Sequence, residues 1–403
     1  MLTVVTLSEA ARIMEAAFPP RPEPETVSLE QARSRVLFEP VRATEYVPDF
    51  DRSTVDGYAV RAADTFGCSD ALPAVLRLAG AVEMGCGAGD VLPENACFSV
   101  PTGGAIPMGA DAAVMLEYTE DYGDGTIGIC RPAAPGENLI FRGDDVRPGQ
   151  TVLEAGRRLA PQDIGALAAL GVAEVQVCRK PRVGILSTGD ELVPVTGKPG
   201  AGQVRDVNSA LLRALAEEAG AEAFCYGIVR DDETLLRAAL ELALRDSDLV
   251  LISGGSSVGA KDATERVLSE RGDMLFHGLA VKPGKPTILA KLGDKPIFGL
   301  PGHPVAALFV ARLLVAPLIE RLMDCTAMRY SIPALVTESV SANHGRAQLM
   351  GVRLHVEDGR RFASPIRGKS GLITGLAGAD GFFEIPRDRE GVAAGEEIQV
   401  FLL

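Results

Sequence analysis

The chain lacks the long apolar run that a membrane crossing requires. Its longest candidate, Leu308 to Ile319, is interrupted by Arg312 and Pro317, whereas a spanning helix needs about 20 apolar residues. The opening residues, Met1-Leu2-Thr3-Val4-Val5-Thr6-Leu7, carry neither the basic segment nor the cleavage signal of an export leader. The expectation is a soluble, cytoplasmic protein. Basic residues are the minority charge, 40 against 54 acidic, for a net charge of −14. That balance excludes nucleic acid and anionic membrane surface as main partners. It still admits an anionic small ligand, because a few local cations or a bound metal reverse the local field. The seven cysteines (Cys68, Cys86, Cys97, Cys130, Cys178, Cys225 and Cys325) are odd in number and include no CxxC pair. A disulfide framework and a structural zinc site are thereby disfavoured, and reduced thiols fit. His277, His303, His344 and His355 lack metal-ligand spacing. Neither GxGxxG nor the P-loop pattern occurs, which disfavours a standard dinucleotide or P-loop site. No internal repeat or low-complexity segment is present.

What is present is a soluble globular composition, 47% apolar and 23% charged over 403 residues, long enough for roughly two to four domains. Residues 1–44 read as helical, with Ser8 capping a helix from Glu9 to Ala17 and the Ser28/Gln31 spacing opening a second. Residues 45–143 carry short β-like runs broken by Gly and Pro, including the hairpin turn Asp121-Tyr122-Gly123-Asp124-Gly125. Residues 144–180 turn helical again over Pro161 to Leu170, with a strand from Val172 to Val177. This return suggests that the β region is inserted into a unit formed by 1–44 and 144–180. Residues 181–327 alternate strand and helix, the pattern of parallel strands with helical crossovers. Residues 328–403 show strand patterns of a small β barrel.

The chemistry-bearing residues concentrate in the alternating region. Three apolar strands end in polar clusters: Asp190-Glu191, Asp231-Asp232 and the glycine-rich run Gly254 to Asp262. Ligands of open α/β sheets bind at the carboxyl ends of strands. Gly254, Gly255 and Gly259, with Ser256 and Ser257 between them, permit a turn that aims N–H groups at an anion, with Asp262 where a helix begins. The acids form a hard-cation site if they converge; each alone also suits a helix N-terminus. Lys282 and Lys285, three apart in a Pro/Gly-rigid loop, present two positive charges. The combination points to phosphate chemistry.

Eight stretches then carry a resemblance. They are Ser53 to Val60, Pro101-Thr102-Gly103-Gly104, Arg142-Gly143-Asp144-Asp145, Ser187 to Leu192, Arg230-Asp231-Asp232, Ser253 to Gly259, Lys282-Pro283-Gly284-Lys285-Pro286 and Gly299-Leu300-Pro301-Gly302. In this order, and over nearly the whole chain, the sequence resembles the molybdopterin molybdenumtransferases of the MoeA type, relatives of the gephyrin E domain. The resemblance implies a multidomain α/β plus β fold. Its parts are an elongated discontinuous dimerisation domain (1–44 and 144–180), an inserted β domain (45–143), a central three-layer α/β domain of the MogA/MoaB kind (181–327) and a C-terminal β barrel (328–403).

It further implies a homodimer with a composite active site, Mg²⁺ as cofactor, and molybdate and adenylylated molybdopterin as substrates, with AMP released and the molybdenum cofactor formed. The molybdopterin adenylyltransferase and apo-molybdoenzymes are the protein partners it suggests. Matched residue by residue, Asp56, Thr102, Asp145, Glu191, Asp231, Asp262 and Lys282 take functional positions; Asp56, Glu191, Asp231 and Asp262 are the metal candidates. Substrate contacts fall on Asp190, Gly254, Gly255, Ser256, Ser257, Gly259, Lys285, Pro301, Ser370 and Thr374. The chain departs from the family pattern at Gly278, where some members have a second lysine, and at His303, where asparagine is usual. It departs again at Ala306 or Ala307, where a small polar residue is common, and at Thr374 and Gly375, where a serine pair is frequent. Two alternatives are an adenylyltransferase, whose fold resembles residues 181–325 alone, and a non-catalytic molybdopterin-binding scaffold.

Overall fold

The structure is a computed structural model that describes residues 4–254, 258–325, 330–342 and 345–403; for Val258–Asp262 only the backbone path is described. The first helix, α1 (Leu7–Ala17), is capped by Thr6 and not by Ser8. The Thr6 hydroxyl accepts the Glu9 N–H while the Glu9 carboxylate accepts the Thr6 N–H, a capping box. The buried side of α1, Ala10 and Met14, packs with Val5 and Phe18 into the core on one face of the central sheet. The second helix expected at Ser28 does not form. Pro24–Ser28 is a strand paired antiparallel with Glu174–Cys178, and only a 3-10 turn, Leu29–Gln31, follows. β-Branched Thr26 and Val27 with a distant strand partner outweigh the local capping signal. Val41–Arg42 likewise pairs with Thr151–Leu153. Val27, Leu37, Leu159 and Val177 share one core with Leu167 of helix α2 (Pro161–Ala169).

Between these stretches lies a six-stranded sheet. Its order is Ala112–Met115, Gly57–Val60, Ala96–Val100, Ala74–Ala81, Thr126–Ile129, Thr119–Asp121. The Asp121–Gly125 turn joins the last pair, and the Gly123 N–H donates to Asp121 Oδ1 at 2.9 Å.

The central sheet runs Glu222–Val229, Arg182–Thr188, Leu249–Gly254, Lys295–Leu300, Ile288–Leu292, Asp273–His277. The first four strands are parallel, and a hairpin makes the rest antiparallel. Alternate side chains cover both faces. Val183, Ile185, Leu249, Leu251 and Phe298 pack on α3 (Val207–Glu218). Leu186, Val250, Ile252 and Ile297 pack on α4 (Glu233–Asp246) and α5 (Val258–Arg271). The first face also receives α6 (Pro304–Val310) and α7 (Ala316–Leu322), joined through a π turn at Ala311–Val315. The result is a three-layer α/β unit. Helix α5 starts at Val258, so Asp262 lies beyond its first turn and not at its start.

The C-terminal strands close on themselves. Ala347–Glu357 pairs with Arg360–Pro365, then Ser331–Val336, Glu397–Leu402 and Gly381–Ile385, which returns to Ala347–Glu357. Val336, Val352, Phe383 and Val400 fill this five-stranded barrel. Val281–Lys282 adds a short parallel strand to it, with Lys282 beside Gln348. All seven cysteines are free thiols. Among the described residues no helix is long and apolar enough to cross a membrane.

Candidate functional site

Four parallel strands reach one edge of the central sheet, at Thr188, Val229, Gly254 and Leu300. Thr188 stands beside both Val229 and Gly254 there. A Cβ on Gly254, at φ +153°, would overlap the Thr188 carbonyl oxygen, so only glycine fits where the chain leaves the sheet. Gly255, Ser256 and Ser257, assigned to the anion-binding turn, lie outside the described residues, as does the side chain of Asp262; of Gly259 only the helical path is described.

The acids of two strand ends do meet. The Asp231 N–H donates to Asp190 Oδ1 at 3.4 Å. The Glu191 carboxylate folds over Gly189, where a Cβ would sit 2.6 Å from Glu191 Oε2. Although Asp231 reaches solvent, desolvation first and the charges of Asp190 and Glu191 second push its carboxyl above the usual range. Asp190 and Glu191 are near enough for their charges to act on Asp231, and hard carboxylate oxygens suit Mg²⁺. Among the described residues no three acid, histidine or cysteine side chains converge into a ready ligand set. Asp232 serves the helix instead, since its Oδ1 accepts the Leu235 N–H at 2.8 Å and caps α4.

A cavity of about 1030 Å³ opens at the same edge, next to Pro301 and Gly302, between the central unit and the barrel. Lys282, assigned to the functional set, and Lys285, Pro301, Ser370 and Thr374, assigned to substrate contacts, all line it. Arg346, Arg367 and Lys369 join them, making five cationic side chains with no Asp or Glu among the described lining residues. Val305, Phe309 and Leu349 form an apolar wall. The lysine loop is held rigidly. The Leu279 N–H donates to the Lys285 carbonyl at 2.9 Å, and the buried Thr287 hydroxyl donates to the Gly284 carbonyl at 2.7 Å.

Asp56 and Thr102 meet at one end of the inserted sheet, where Gly57 pairs with Val100. The Thr102 N–H donates to Asp56 Oδ1 at 2.8 Å. The strand Arg52–Ser53 beside them pairs with Leu139–Ile140, and the Gly103 N–H donates to the Ser53 carbonyl at 2.8 Å. Asp145 is exposed, on a loop fixed where the Arg142 guanidinium donates to Asp49 Oδ1 at 2.8 Å and the Arg142 N–H to Asp51 Oδ1 at 2.7 Å. None of the three lines the cavity of its own chain among the described residues.

Sequence reasoning misses Asn208, Arg346, Gln348, Arg367 and Lys369. Asn208, only 7% exposed, donates from Nδ2 to Ser253 Oγ at 2.7 Å and to the Gly302 carbonyl at 2.9 Å. It ties two strand-end loops together. The available signal is its place in Asp206-Val207-Asn208, directly inside a helix cap at the sheet edge. Gln348 is buried with Oε1 unpartnered in the cavity wall. The basic run Arg367-Gly368-Lys369 directly precedes the small residues Ser370 and Gly371.

Three regional family descriptions match this chain: the MoeA N-terminal region (domain I and II) over residues 5–171, a probable molybdopterin binding domain over 184–321, and the MoeA C-terminal region (domain IV) over 333–403. Molybdopterin molybdenumtransferase of Bacillus subtilis is 33% identical over 407 aligned positions, covering 100% of this chain and 94% of the relative. The protein of that name from Haemophilus influenzae is 34% identical, with 98% of each covered. The crystal structure of the molybdopterin biosynthesis moeA protein from Pyrococcus horikoshii OT3 superposes with a TM-score of 0.88 at 32% identity, over 99% of this chain and 100% of that one.

Proposed function

The chain belongs to the MoeA family, and on that premise we propose that it is a molybdopterin molybdenumtransferase, taking adenylylated molybdopterin and molybdate and releasing AMP as the molybdenum cofactor forms. The observation that carries this reading is the cation-lined cavity at the carboxyl edge of the sheet. In a chain of net charge −14, a lining of five cations without a carboxylate is a local reversal of field. It suits a dianion such as molybdate or a phosphate. Lys282 and Lys285 would neutralise its oxygens, and Ser370 and Thr374 would donate hydroxyl hydrogen bonds. The apolar wall would take the ring portion of the substrate.

Glu191 and Asp231, with Asp262 and Asp56, would hold Mg²⁺, which would offset the desolvation and the like charges of Asp190 and Glu191 that raise Asp231. When bound, such an ion neutralises phosphoanhydride charge. The Gly254–Gly259 backbone would receive the pyrophosphate, and Asp190 would steady Asp231 through its N–H. The working unit in this reading is a homodimer. Asp56, Thr102 and Asp145 of one subunit would close on the sheet edge of the other, which fits their absence from the described lining of their own chain's cavity. Residues 1–44 and 144–180 would form the dimerising unit, 45–143 the inserted unit, 181–327 the molybdopterin-binding unit and 328–403 the barrel. The pairing of Pro24–Ser28 with Glu174–Cys178 supports that division. The protein would act in the cytoplasm and exchange intermediates with the molybdopterin adenylyltransferase and apo-molybdoenzymes.

Purified protein given adenylylated molybdopterin, molybdate and Mg²⁺ should release AMP, measured by chromatography. Omitting Mg²⁺ should slow release, and Asp262→Ala should reduce it by about 100-fold or more. Absence of AMP from the complete wild-type mixture would overturn the reading.

A further inference from the structure

His303 stands at the rim of the basic cavity, in the N-cap position of α6, with extended backbone and no side-chain bond to the helix. It points across the cavity mouth instead. Its Nδ1 lies 2.8 Å from Ser370 Oγ, on the wall contributed by the barrel. The Val305 N–H donates to the Ser370 carbonyl oxygen at 3.1 Å. These two bonds pin the Arg367–Thr374 wall to α6, so His303 joins both halves of the cavity.

The groups that share this cavity come from every element around it. Lys282 and Lys285 belong to the rigid loop, Arg346 and Gln348 to the start of the barrel strand, and Arg367, Lys369, Ser370 and Thr374 to the opposing wall. Arg367 is paired with Glu338, at 2.9 Å. Lysine and arginine keep their charge across the neutral range, whereas histidine is the side chain whose charge changes between about pH 5 and 8.

We infer that His303 is a specificity residue of the oxyanion cavity, coupling uptake of one proton to binding of a tetrahedral dianion. The inference rests on the assignment of this cavity to the oxyanion above. A dianion in the cavity and a proton on the imidazole attract each other, so each raises the affinity for the other by the same factor. The contact with Ser370 persists in both states, because a hydroxyl donates to a neutral Nδ1 or accepts from a protonated one. The wall therefore stays in place while the charge at its edge changes.

The test is calorimetric titration of the full-length protein with inorganic sulfate, a tetrahedral dianion whose own charge is constant from pH 5.5 to 8. Binding should be about fivefold tighter at pH 5.5 than at pH 8, the effect of one screened charge at a few ångströms. Its heat should vary with buffer ionisation enthalpy as expected for proton uptake. His303→Asn keeps a hydrogen-bonding side chain toward Ser370 but cannot titrate; it should bind sulfate without pH dependence or proton uptake. Ser370→Ala removes a hydroxyl assigned to the anion and should bind sulfate more weakly, but it keeps the imidazole and should retain the pH dependence and the proton uptake. Wild-type behaviour in His303→Asn, or loss of the pH dependence in both variants alike, would overturn the inference. If neither sulfate nor molybdate binds wild-type protein at any pH while AMP release persists, the assignment of the cavity itself falls, and this inference with it.

Discussion

At Asp231, desolvation first and the charges of Asp190 and Glu191 second hold the carboxyl above its usual range. The sign follows from linkage. The folded carboxyl holds its proton more tightly than the unfolded one, so the penalty from desolvation and like charge is absent below the usual carboxylate range. It grows as pH rises through that range toward the raised value, and persists at neutral pH. Asp231→Asn should therefore leave stability at pH 7 unchanged or higher by about 0.5 kcal/mol in urea denaturation, the scale of an exposed charge interaction, while AMP release collapses. Mg²⁺ should raise the melting temperature of the wild type, as any ligand of the folded state does, and fail to do so in this variant. Asn208 makes the opposite prediction. Asn208→Ala strands the Gly302 carbonyl and the buried Ser253 hydroxyl, so it should lower unfolding free energy by about 2 kcal/mol, read from the denaturation midpoint.

At the scale of elements, the strand end at Gly254 has no spare room. Gly254→Ala sets a Cβ into the Thr188 carbonyl at a backbone angle that favours glycine, and should cost about 2–4 kcal/mol in chemical denaturation. The same strand ends show how local signals divide. Asp231 and Asp232 are adjacent and chemically identical, yet the Asp232 carboxylate is spent on capping α4, while Asp231 meets Asp190 through its backbone N–H. Ser28 and Gln31 carry a capping-box spacing, but Thr26 and Val27 are claimed by the strand at Glu174–Cys178. Thr6, two residues before the expected cap, takes α1 because Glu9 stands at the matching third position.

For the whole molecule, the separation of Asp56, Thr102 and Asp145 from the cavity of their own chain makes subunit exchange the informative experiment. Asp56→Ala and Asp231→Ala should each be inactive alone. Mixed and allowed to exchange in equal amounts, about half the dimers would be heterodimers with one intact site each, restoring about a quarter of wild-type AMP release if the sites are shared across a twofold interface. No recovery, with exchange verified by mass spectrometry, would place each complete site within one chain.

The strand–helix alternation of residues 181–325, the polar ends of its strands and the lysine loop were legible from the sequence, because periodicity and turn chemistry depend on residues a few positions apart. A central α/β unit with a ligand edge followed from that alone, as did the chemical types gathered there. The cavity did not. It exists because Val281–Lys282 pairs with Ala347–Gln348, and because Ser370 reaches the N-terminus of α6. Those contacts set Lys282, Arg346 and Lys369 around one space. Pairing register and loop docking join residues far apart in the chain, and their free energy belongs to the assembled core and to no local stretch. Tertiary structure alone therefore decided that a chain of net charge −14 holds a cavity lined by five cations.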